Sequence, residues 1–467
     1  MALDHDGLQQ AAHDHLLLHF TRHAAYGPGG AELLVLERGE GPYVYDTRGR
    51  RYIDGLSSLF CAQIGYSYGE EMAQAAGAQL RRLAFNTNWG TATPAAIELA
   101  DRLAALAPEG LDKVFLTGGG SESVETAWKL VRQFHVGNGE PQRTKAIARR
   151  WAYHGVTLGA LSFTQVAWMK EPFGRPPVET LQVANTLAYR QPEEGDEPAL
   201  TRRLLAELEQ AIRDAGPDTV AMMIAEPVQN AGGCLTAPAG YWAGVREICS
   251  RHGILLVADE VITGFGRIGE WFASERYDIR PDLVTVAKGL TSAYAPGGAV
   301  LVSDRVAAPL YEPRRPLNHG ITFGGHPVSA ALALKSIEIF ERDGVLENVR
   351  ALEDHLHARL EELRGLPIVG DVRGAGFFWG VELVKDEQGT TFDAEERERL
   401  VKGHLPRRLL ESGLLARPDD RGDVVLHIAP PLISDRALLD DIVDRMTDVL
   451  EDAQAHMGVA ERRRQAA

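Results

Sequence analysis

The sequence predicts an α/β fold in which helices cover a mostly parallel sheet. From about residue 95, short apolar runs alternate with long helical patterns, as expected for such a sheet. Several of these runs end in polar or glycine residues, and ligands of open α/β sheets bind beyond the carboxyl ends of strands. The runs that we interpret as strands are residues 113–118, 145–150, 219–227, 254–260, 282–289 and 297–303.

Length and composition predict two domains. The 467 residues are 45% hydrophobic, which is enough for one large core and a smaller one. Residues 41–55 have the pattern of two short strands around a turn, and a strand-like run recurs at 424–432. We expect residues 1–60 to form an N-terminal segment of a small domain, residues 61–330 a large domain, and residues 331–467 the C-terminal part of the small domain.

Net charge, the length of apolar runs and the spacing of cysteines and histidines argue against a nucleic-acid-binding, a membrane or a metal-binding protein. Acidic residues outnumber basic ones by 65 to 49, so the phosphate backbone of a nucleic acid would be repelled. The sequence has neither an apolar run of about 18 residues nor a secretory signal, which predicts a cytoplasmic protein without a membrane partner. Cys61, Cys234 and Cys249 are predicted to be free, buried thiols. His15 and His19 have the i, i+4 spacing of two ligands on one helix face but lack a carboxylate at ligand spacing, so we expect an amphipathic surface helix and no metal site.

The first candidate site is a glycine-rich turn. In FLTGGGSESVETAWKL, residues 115–130, an apolar run leads through three glycines into a helical pattern. A helix N-terminus offers unpaired N–H groups, and glycine lets the backbone approach a phosphate closely. The segment contains neither the P-loop motif nor the dinucleotide fingerprint. A phosphate cup and a tight turn capped by Ser121 both fit, and the motif alone favours the turn.

The second candidate is a pair of carboxylates at a strand end. The apolar run in ILLVADEVITGFGR, residues 254–267, finishes with Asp259 and Glu260. Alternation along a strand directs these side chains to opposite faces, so only one of them can face a site. A buried carboxylate needs a cationic partner. A protonated pyridine nitrogen would supply one, and a salt bridge to Arg267 is about as consistent with this motif.

The third candidate is Lys288, in DLVTVAKGLTSAYAPGGAV, residues 282–300. Lysine is almost never fully buried without a partner, so its place at the end of an apolar strand is unusual. Desolvation and a neighbouring cation would lower the pKa of its amine, which suits an amine that forms a Schiff base. A lone lysine more often extends to the surface, but the strand and the surrounding glycines weigh against that here.

Taken in order, these segments resemble the class III aminotransferases that depend on pyridoxal 5′-phosphate (PLP), and the ω-aminotransferase branch most closely. The resemblance covers roughly residues 35–435. It implies PLP fold type I, with a mostly parallel seven-stranded sheet in the large domain and a small α+β domain formed by both termini. The motifs that carry it are the GGGSES turn, Tyr153-His154-Gly155, AEPVQ at 225–229, DEVITGFGR, AKGL and HGITFGGHP at 319–327.

The resemblance also implies roles for individual residues. Lys288 corresponds to the Schiff-base lysine, and Asp259 to the carboxylate that pairs with the pyridinium nitrogen. Thr322 corresponds to a hydroxyl that reaches the phosphate from the neighbouring subunit, which implies a homodimer, or a tetramer built from it, with sites at the interface. The other implied cofactor contacts are Gly120 and Ser121 in the phosphate cup, Tyr153 and Val261 on the two ring faces, and Glu226 near the ring oxygen.

Substrate contacts are implied at Phe60, Tyr153 and Arg417. Arg417 resembles the arginine that binds a substrate carboxylate and swings away for an uncharged amine, and a guanidinium suits a keto acid such as pyruvate. A surface ion pair of Arg417 with Asp419 or Asp420 is the alternative.

The sequence departs from the family pattern at three positions, two in the amine pocket and one in the phosphate cup. Many relatives have tryptophan at the position of Phe60 and tyrosine at that of Phe323, so the size and polarity of the amine pocket are open. The cup often reads S-G-S where this chain has Gly119-Gly120-Ser121, so phosphate binding would depend more on backbone amides.

The implied reaction is a ping-pong transamination between an amine donor and a keto-acid acceptor, with Lys288 as acid-base catalyst. An aminomutase of the glutamate-1-semialdehyde type and a natural-product aminotransferase share the fold and the lysine. A silent PLP-fold binding protein would be expected to have lost Lys288 or Asp259, and both are present.

Overall fold

A computed structural model describes residues 4–27, 30–312 and 316–459. Its first elements form a small antiparallel sheet behind a short surface helix, and the predicted strands of residues 41–55 are present. The first helix ends at His15, so His15 and His19 do not share one helix face. These elements are α1 His5–His15, β1 Leu36–Glu40, β2 Tyr43–Asp46, β3 Arg51–Asp54, α2 Ser57–Phe60, α3 Gly69–Arg82 and α4 Pro94–Leu106.

The large sheet follows and contains all six predicted strands plus one more. The additional strand, Thr180–Val183, lies at the edge of the sheet and is short and partly polar, which is why its pattern does not stand out in the sequence. The strands are β4 Lys113–Thr117, β5 Lys145–Arg149, β6 Thr180–Val183, β7 Val220–Ala225, β8 Leu255–Asp259, β9 Leu283–Val286 and β10 Gly298–Val302.

Helices cover both faces of this sheet, and α5 connects β4 to β5. The strands in the middle of the sheet are buried along their whole length, as expected for strands covered on two sides. The helices are α5 Gly120–Gly137, α6 Leu158–Phe163, α7 Ala167–Lys170, α8 Glu197–Ala215, α9 Tyr241–Arg251, α10 Ala273–Arg276 and α11 Asp304–Ala307.

The C-terminal region packs a third sheet against long helices. Strand β13 of this region does not join the third sheet but pairs in parallel with β3, so segments from both ends of the chain share the small N-terminal sheet. The elements are α12 Pro327–Arg342, α13 Val345–Glu361, β11 Val369–Ala375, β12 Phe378–Leu383, α14 Ala394–Arg397, a π-helix Glu398–His404, α15 Leu405–Ser412, β13 Leu414–Leu415, β14 Arg417–Asp419, β15 Val425–Ile428 and α16 Arg436–Met457.

The strand order of the large sheet determines at which edge a ligand site is expected. The sheet runs β4-β10-β9-β8-β7-β5-β6, and only β10 is antiparallel to its neighbours. The mostly parallel seven-stranded sheet expected from the resemblance is therefore confirmed. Because β5, β7, β8 and β9 are parallel, their carboxyl ends meet at one edge. Ligands are expected at that edge.

Three further features concern the cysteines, membrane-spanning helices and metal ligands. The cysteines at 61, 234 and 249 are free thiols; Cys234 and Cys249 are buried as predicted, whereas Cys61 is only half-buried. Across the described part of the chain, no helix has the length and apolar character needed to cross a bilayer. Nor do the described residues bring together three or more side chains suited to hold a metal ion.

Candidate active site

A cavity of about 180 Å³ opens at the carboxyl edge of the large sheet. It lies where β4, β5, β7, β8 and β9 end and their following loops begin, which is the expected place for a ligand. His154, which carried no predicted role, also lines it. The residues predicted from the sequence that line this cavity are Gly120, Ser121, Tyr153, Glu226, Asp259, Val261 and Lys288.

Lys288 follows β9 and presents a buried amine to the cavity. Its Nζ lies 5.6 Å from the centroid of the Phe60 ring and makes no hydrogen bond or ion pair with any described residue. Burial lowers the pKa of this amine, and although Cys61 and Asp259 oppose that shift, Arg421 and Arg417 add to it. The backbone of Lys288 has φ +37°, a left-handed conformation that costs a non-glycine residue about 1–3 kcal/mol. The amine is thus poised as a base or nucleophile.

Asp259 ends β8 and is held by three hydrogen bonds. Its Oδ1 accepts from the Thr285 hydroxyl at 3.0 Å and from the Val261 amide at 3.2 Å, while Oδ2 lies 2.6 Å from Nδ1 of His154. The side chain is only 4% exposed. One carboxylate is therefore fixed at the cavity wall by groups from three loops or strands.

The neighbouring carboxylate, Glu260, points the other way, as strand alternation predicted. It accepts hydrogen bonds from the amides of Ala273 and Ser274 at the start of α10 and from the Ser274 hydroxyl. The alternative salt bridge between Asp259 and Arg267 is absent, because Arg267 bonds the Ser57 hydroxyl and backbone carbonyls instead.

His154 and Glu226 form a second buried layer behind Asp259. Burial alone would lower the pKa of His154, but Glu226 and the hydrogen bond to Asp259 outweigh it and raise the pKa. Its Nε2 lies 3.7 Å from Oε2 of Glu226, and Arg149 is 3.6 Å from the same oxygen. Oε1 of Glu226 accepts from the Tyr153 amide at 3.1 Å. The sequence placed His154 in a motif, but only the fold shows that it joins the two carboxylates.

The N-terminus of α5 faces the cavity without a side-chain cap. No side chain caps the start of α5, as is also true of the long helices α3 and α13, and Gly119 stands at the N-cap position of α5. A Cβ on Gly120 would lie 2.9 Å from Cγ1 of Val261, so glycine is required for this close approach. An uncapped helix start is suited to an anion, so the structure favours the phosphate cup over the capped turn.

Phe60 lies over Lys288 in a strained segment. Ser57, Ser58 and Phe60 all have positive φ, and the Asp54 carboxylate stabilises the turn by accepting from the amides of Leu56 and Ser58. The Phe60 ring is buried and packs edge-on against Phe378, with centroids 5.4 Å apart. Strain of this kind persists where surrounding structure enforces it, and it often accompanies function.

Arg417 is not engaged in either of the ion pairs considered from the sequence. Asp419 pairs with Arg421 and Asp420 with Lys402, and the side chain of Arg417 makes no hydrogen bond or ion pair with the described residues. Burial and the neighbouring Arg421 lower the pKa of Arg417. The guanidinium is therefore available to an anionic ligand.

Thr322 lies away from the cavity of its own chain. Both Thr322 and Phe323 are exposed, and neither lines the cavity. Three predicted site residues do not line the cavity: Arg417, Thr322 and Phe60, the last of which lies beside Lys288.

Comparison with known proteins identifies the family. Residues 26–450 match the family Aminotransferase class-III. A probable aminotransferase of Mycobacterium tuberculosis is 48% identical over 94% of this chain and 93% of its own. The putrescine–pyruvate aminotransferase of Pseudomonas aeruginosa is 36% identical over 96% of each chain.

Solved structures agree. An (S)-enantioselective omega-transaminase from Thermomicrobium roseum superposes with a TM-score of 0.92 at 39% identity, covering 97% of this chain and 100% of that one. The omega transaminase of Pseudomonas jessenii, solved in complex with PMP, gives a TM-score of 0.91 at 34% identity, covering 97% and 99%. The fold and site define a PLP-dependent enzyme. The chain belongs to the class III aminotransferases, which transfer an amino group to a keto acid.

The residues in the cavity fit PLP. An uncapped helix start suits its phosphate, a buried carboxylate suits its ring nitrogen, and an unpartnered amine suits its aldehyde. Oε2 of Glu226 is buried and has no hydrogen-bond partner among the described residues. A polar cofactor would satisfy such an atom.

Proposed function

We propose that the protein transfers the amino group of a primary amine or ω-amino acid to a small keto acid such as pyruvate by a ping-pong mechanism. The observation that carries this proposal is the convergence of three groups in one cavity: the desolvated Lys288 amine, the fixed Asp259 carboxylate and the uncapped start of α5. The relatives that use putrescine and pyruvate or are named omega-transaminases support it.

We assign the cofactor contacts to residues of this cavity. Lys288 would bind PLP covalently, Asp259 would pair with its ring nitrogen, and Gly120 and Ser121 would hold its phosphate. Tyr153 and Val261 would pack against the ring faces, and Glu226 would lie near the ring oxygen. All of these residues line the same cavity.

Bound PLP supplies an electron sink that stabilises negative charge on the substrate carbon. The chain's own contribution begins with Lys288, whose Nζ moves the substrate proton, a task suited to an amine with a lowered pKa. Asp259 would present its carboxylate to the cofactor ring, and His154, whose pKa Glu226 and Asp259 raise, holds that carboxylate in place through a hydrogen bond. Phe60 and Phe378 exclude water from one side of the amine.

Arg417 is proposed to bind the carboxylate of the keto acid. Its guanidinium is partly buried and lacks a partner among the residues that the structure describes, so an incoming carboxylate would meet a desolvated cation.

Replacing Arg417 with alanine should raise the KM for pyruvate about 10- to 100-fold, because a charge-assisted bidentate contact contributes about 1.5–3 kcal/mol. The measurement is steady-state alanine formation from a panel of amines, with pyruvate varied. Lys402→Ala, which removes a surface cation paired with Asp420, is the matched control. An unchanged KM for pyruvate in Arg417→Ala would exclude the assignment.

We further propose a homodimer in which Thr322 reaches the partner's site. A patch of exposed apolar side chains, Phe85, Trp89, Ile97 and Phe323, lies beside Thr322. Trp89 and Phe323 are each 64% exposed, and the rings of Phe85 and Phe323 are 5.5 Å apart. Large exposed apolar patches commonly mark interfaces.

Mixed dimers test this arrangement. Thr322→Asp places a carboxylate where a phosphate is expected and should weaken PLP binding in its own homodimer, and Lys288→Ala cannot bind PLP covalently. If Thr322 acts across the interface, a dimer with one subunit of each kind contains one wild-type site, and covalent PLP binding should return to half occupancy. If Thr322 acted within its own chain, the mixed dimer would regain nothing. Absorbance of purified, differently tagged mixed dimers distinguishes the two results.

A further inference from the structure

Arg149 places a fully buried guanidinium directly behind the cavity. It ends β5, and its side chain is completely excluded from solvent. Trp242 of α9 covers the guanidinium, with the ring centroid 5.4 Å from Cζ. A buried cation is costly unless a carboxylate and hydrogen bonds compensate it, so a side chain of this kind needs a specific partner.

Glu226 is that partner, and Glu226 does line the cavity. Nη2 of Arg149 donates to the backbone carbonyl of Glu226 and lies 3.6 Å from Oε2 of the same residue. Among the described residues, no other carboxylate lies within ion-pair distance of Arg149. The two residues meet because β5 and β7 are parallel neighbours and each residue stands at the carboxyl end of its strand. Arg149 therefore holds both the backbone and the side chain of Glu226.

The Arg149–Glu226 pair begins a row of charged groups that leads to the proposed cofactor ring. Oε2 of Glu226 lies 3.7 Å from Nε2 of His154, and Nδ1 of His154 lies 2.6 Å from Oδ2 of Asp259. The row thus contains two buried carboxylates. Arg149 compensates the charge of one of them, so that His154 and the cofactor ring share only the charge of the other.

We propose that Arg149 is a positioning residue that acts through Glu226: it holds Glu226 in place and compensates its charge, so that Asp259 alone presents an uncompensated carboxylate to His154 and the cofactor ring. Arg149 does not line the cavity and does not itself touch the cofactor. This inference rests on the proposed PLP site and adds a residue that controls the charge around it.

The other charged and titratable groups around Glu226 stay in place when Arg149 is replaced. They are Tyr153 and His154 from the loop after β5, Asp259 from β8, Lys288 from the segment after β9, and Arg421, whose charge Asp419 compensates. A change in the titration of the site in an Arg149 variant therefore reports the loss of this one cation.

The pH at which the absorbance of bound PLP changes tests this role. Arg149→Met leaves the charge of Glu226 uncompensated, and an additional negative charge favours the protonated form of neighbouring groups, so the midpoint of the titration should rise by at least about 0.5 pH unit. Glu226→Gln leaves Arg149 uncompensated and should shift the midpoint downward. The double variant lacks both charges and should return to within about 0.2 pH unit of the wild type, because the two residues act as a pair.

Two further variants separate this role from a merely structural one. Arg149→Lys keeps a cation and should retain the wild-type midpoint. Arg143→Met is the matched control, because Arg143 is a buried arginine just before β5 that donates to the backbone carbonyls of Pro217 and Val220. It should lower Tm without moving the midpoint. The inference is overturned if Arg149→Met has the wild-type midpoint, or if the double variant is shifted as far as Arg149→Met.

The titration needs no turnover, so a failure of the proposed transamination would be seen separately, as bound PLP without alanine formation. Thermal unfolding of the cofactor-free protein covers a variant that does not retain PLP. Arg149→Met should lower Tm more than the double variant does, because removing one member of a buried pair leaves the other charge uncompensated. Equal Tm values for Arg149→Met and the double variant would also overturn the inference.

Discussion

Replacing Lys288 with alanine should lower kcat for transamination by at least about 10³-fold, because this one residue is proposed to supply both the covalent attachment and the proton transfer. The single-turnover rate with a saturating amine is the appropriate measurement, since it isolates the step in which Lys288 acts. Added small amines should restore part of the rate, as they can replace a missing base but not the attachment. A variant with wild-type single-turnover kinetics would remove Lys288 from the mechanism.

The buried amine of Lys288 should also make the stability of the protein depend on pH. The pKa of Lys288 is lowered in the folded chain from its ordinary value of 10.5, so between the two pKa values the unfolded chain binds the proton more tightly. The stability of the cofactor-free wild type should therefore rise with pH in that window. Lys288→Met lacks this group and should show a flatter dependence of Tm on pH, with no loss of folding.

Asp259→Asn should retain part of the PLP but lose about 10²- to 10³-fold in single-turnover rate, the usual cost of removing one fixed electrostatic group at a reacting centre. Asparagine keeps an acceptor for Thr285 and Val261 but removes the carboxylate that contacts His154 and that is proposed to face the cofactor ring. Rates are to be compared at equal PLP occupancy, measured by absorbance.

The adjacent Glu260 offers a matched control for Asp259→Asn. It is a buried carboxylate on the same strand end that bonds α10 instead of lining the cavity. Glu260→Gln should alter stability more than the single-turnover rate. Equal rates for Asp259→Asn and the wild type would contradict the role given to Asp259.

Much of the large sheet could be predicted because its strands are buried on both faces and stand out as apolar runs. The strand Thr180–Val183 could not, since an edge strand of four residues has too little burial to leave a pattern. Likewise, the pairing of β3 with β13 joins segments more than 350 residues apart, and no local pattern encodes such a contact.

The candidate site was predicted where a residue type and a strand end suffice, as for Lys288, Asp259 and Glu226. The opposite orientations of Asp259 and Glu260 also follow from alternation alone. Which charged residues form ion pairs could not be predicted in this way. Two aspartates, Asp419 and Asp420, follow Arg417 in the sequence, and only the fold shows that Asp419 pairs with Arg421. The contact of His154 with two carboxylates depends in the same way on loops that meet only in three dimensions.

The most direct test of the account is to locate the covalent attachment of PLP. The wild-type protein is loaded with PLP, treated with borohydride to make the linkage permanent, digested and analysed by mass spectrometry. The account predicts that the label lies on the peptide containing Lys288 and is absent from Lys288→Ala. A label on another lysine of the wild type, or none at all, would contradict it.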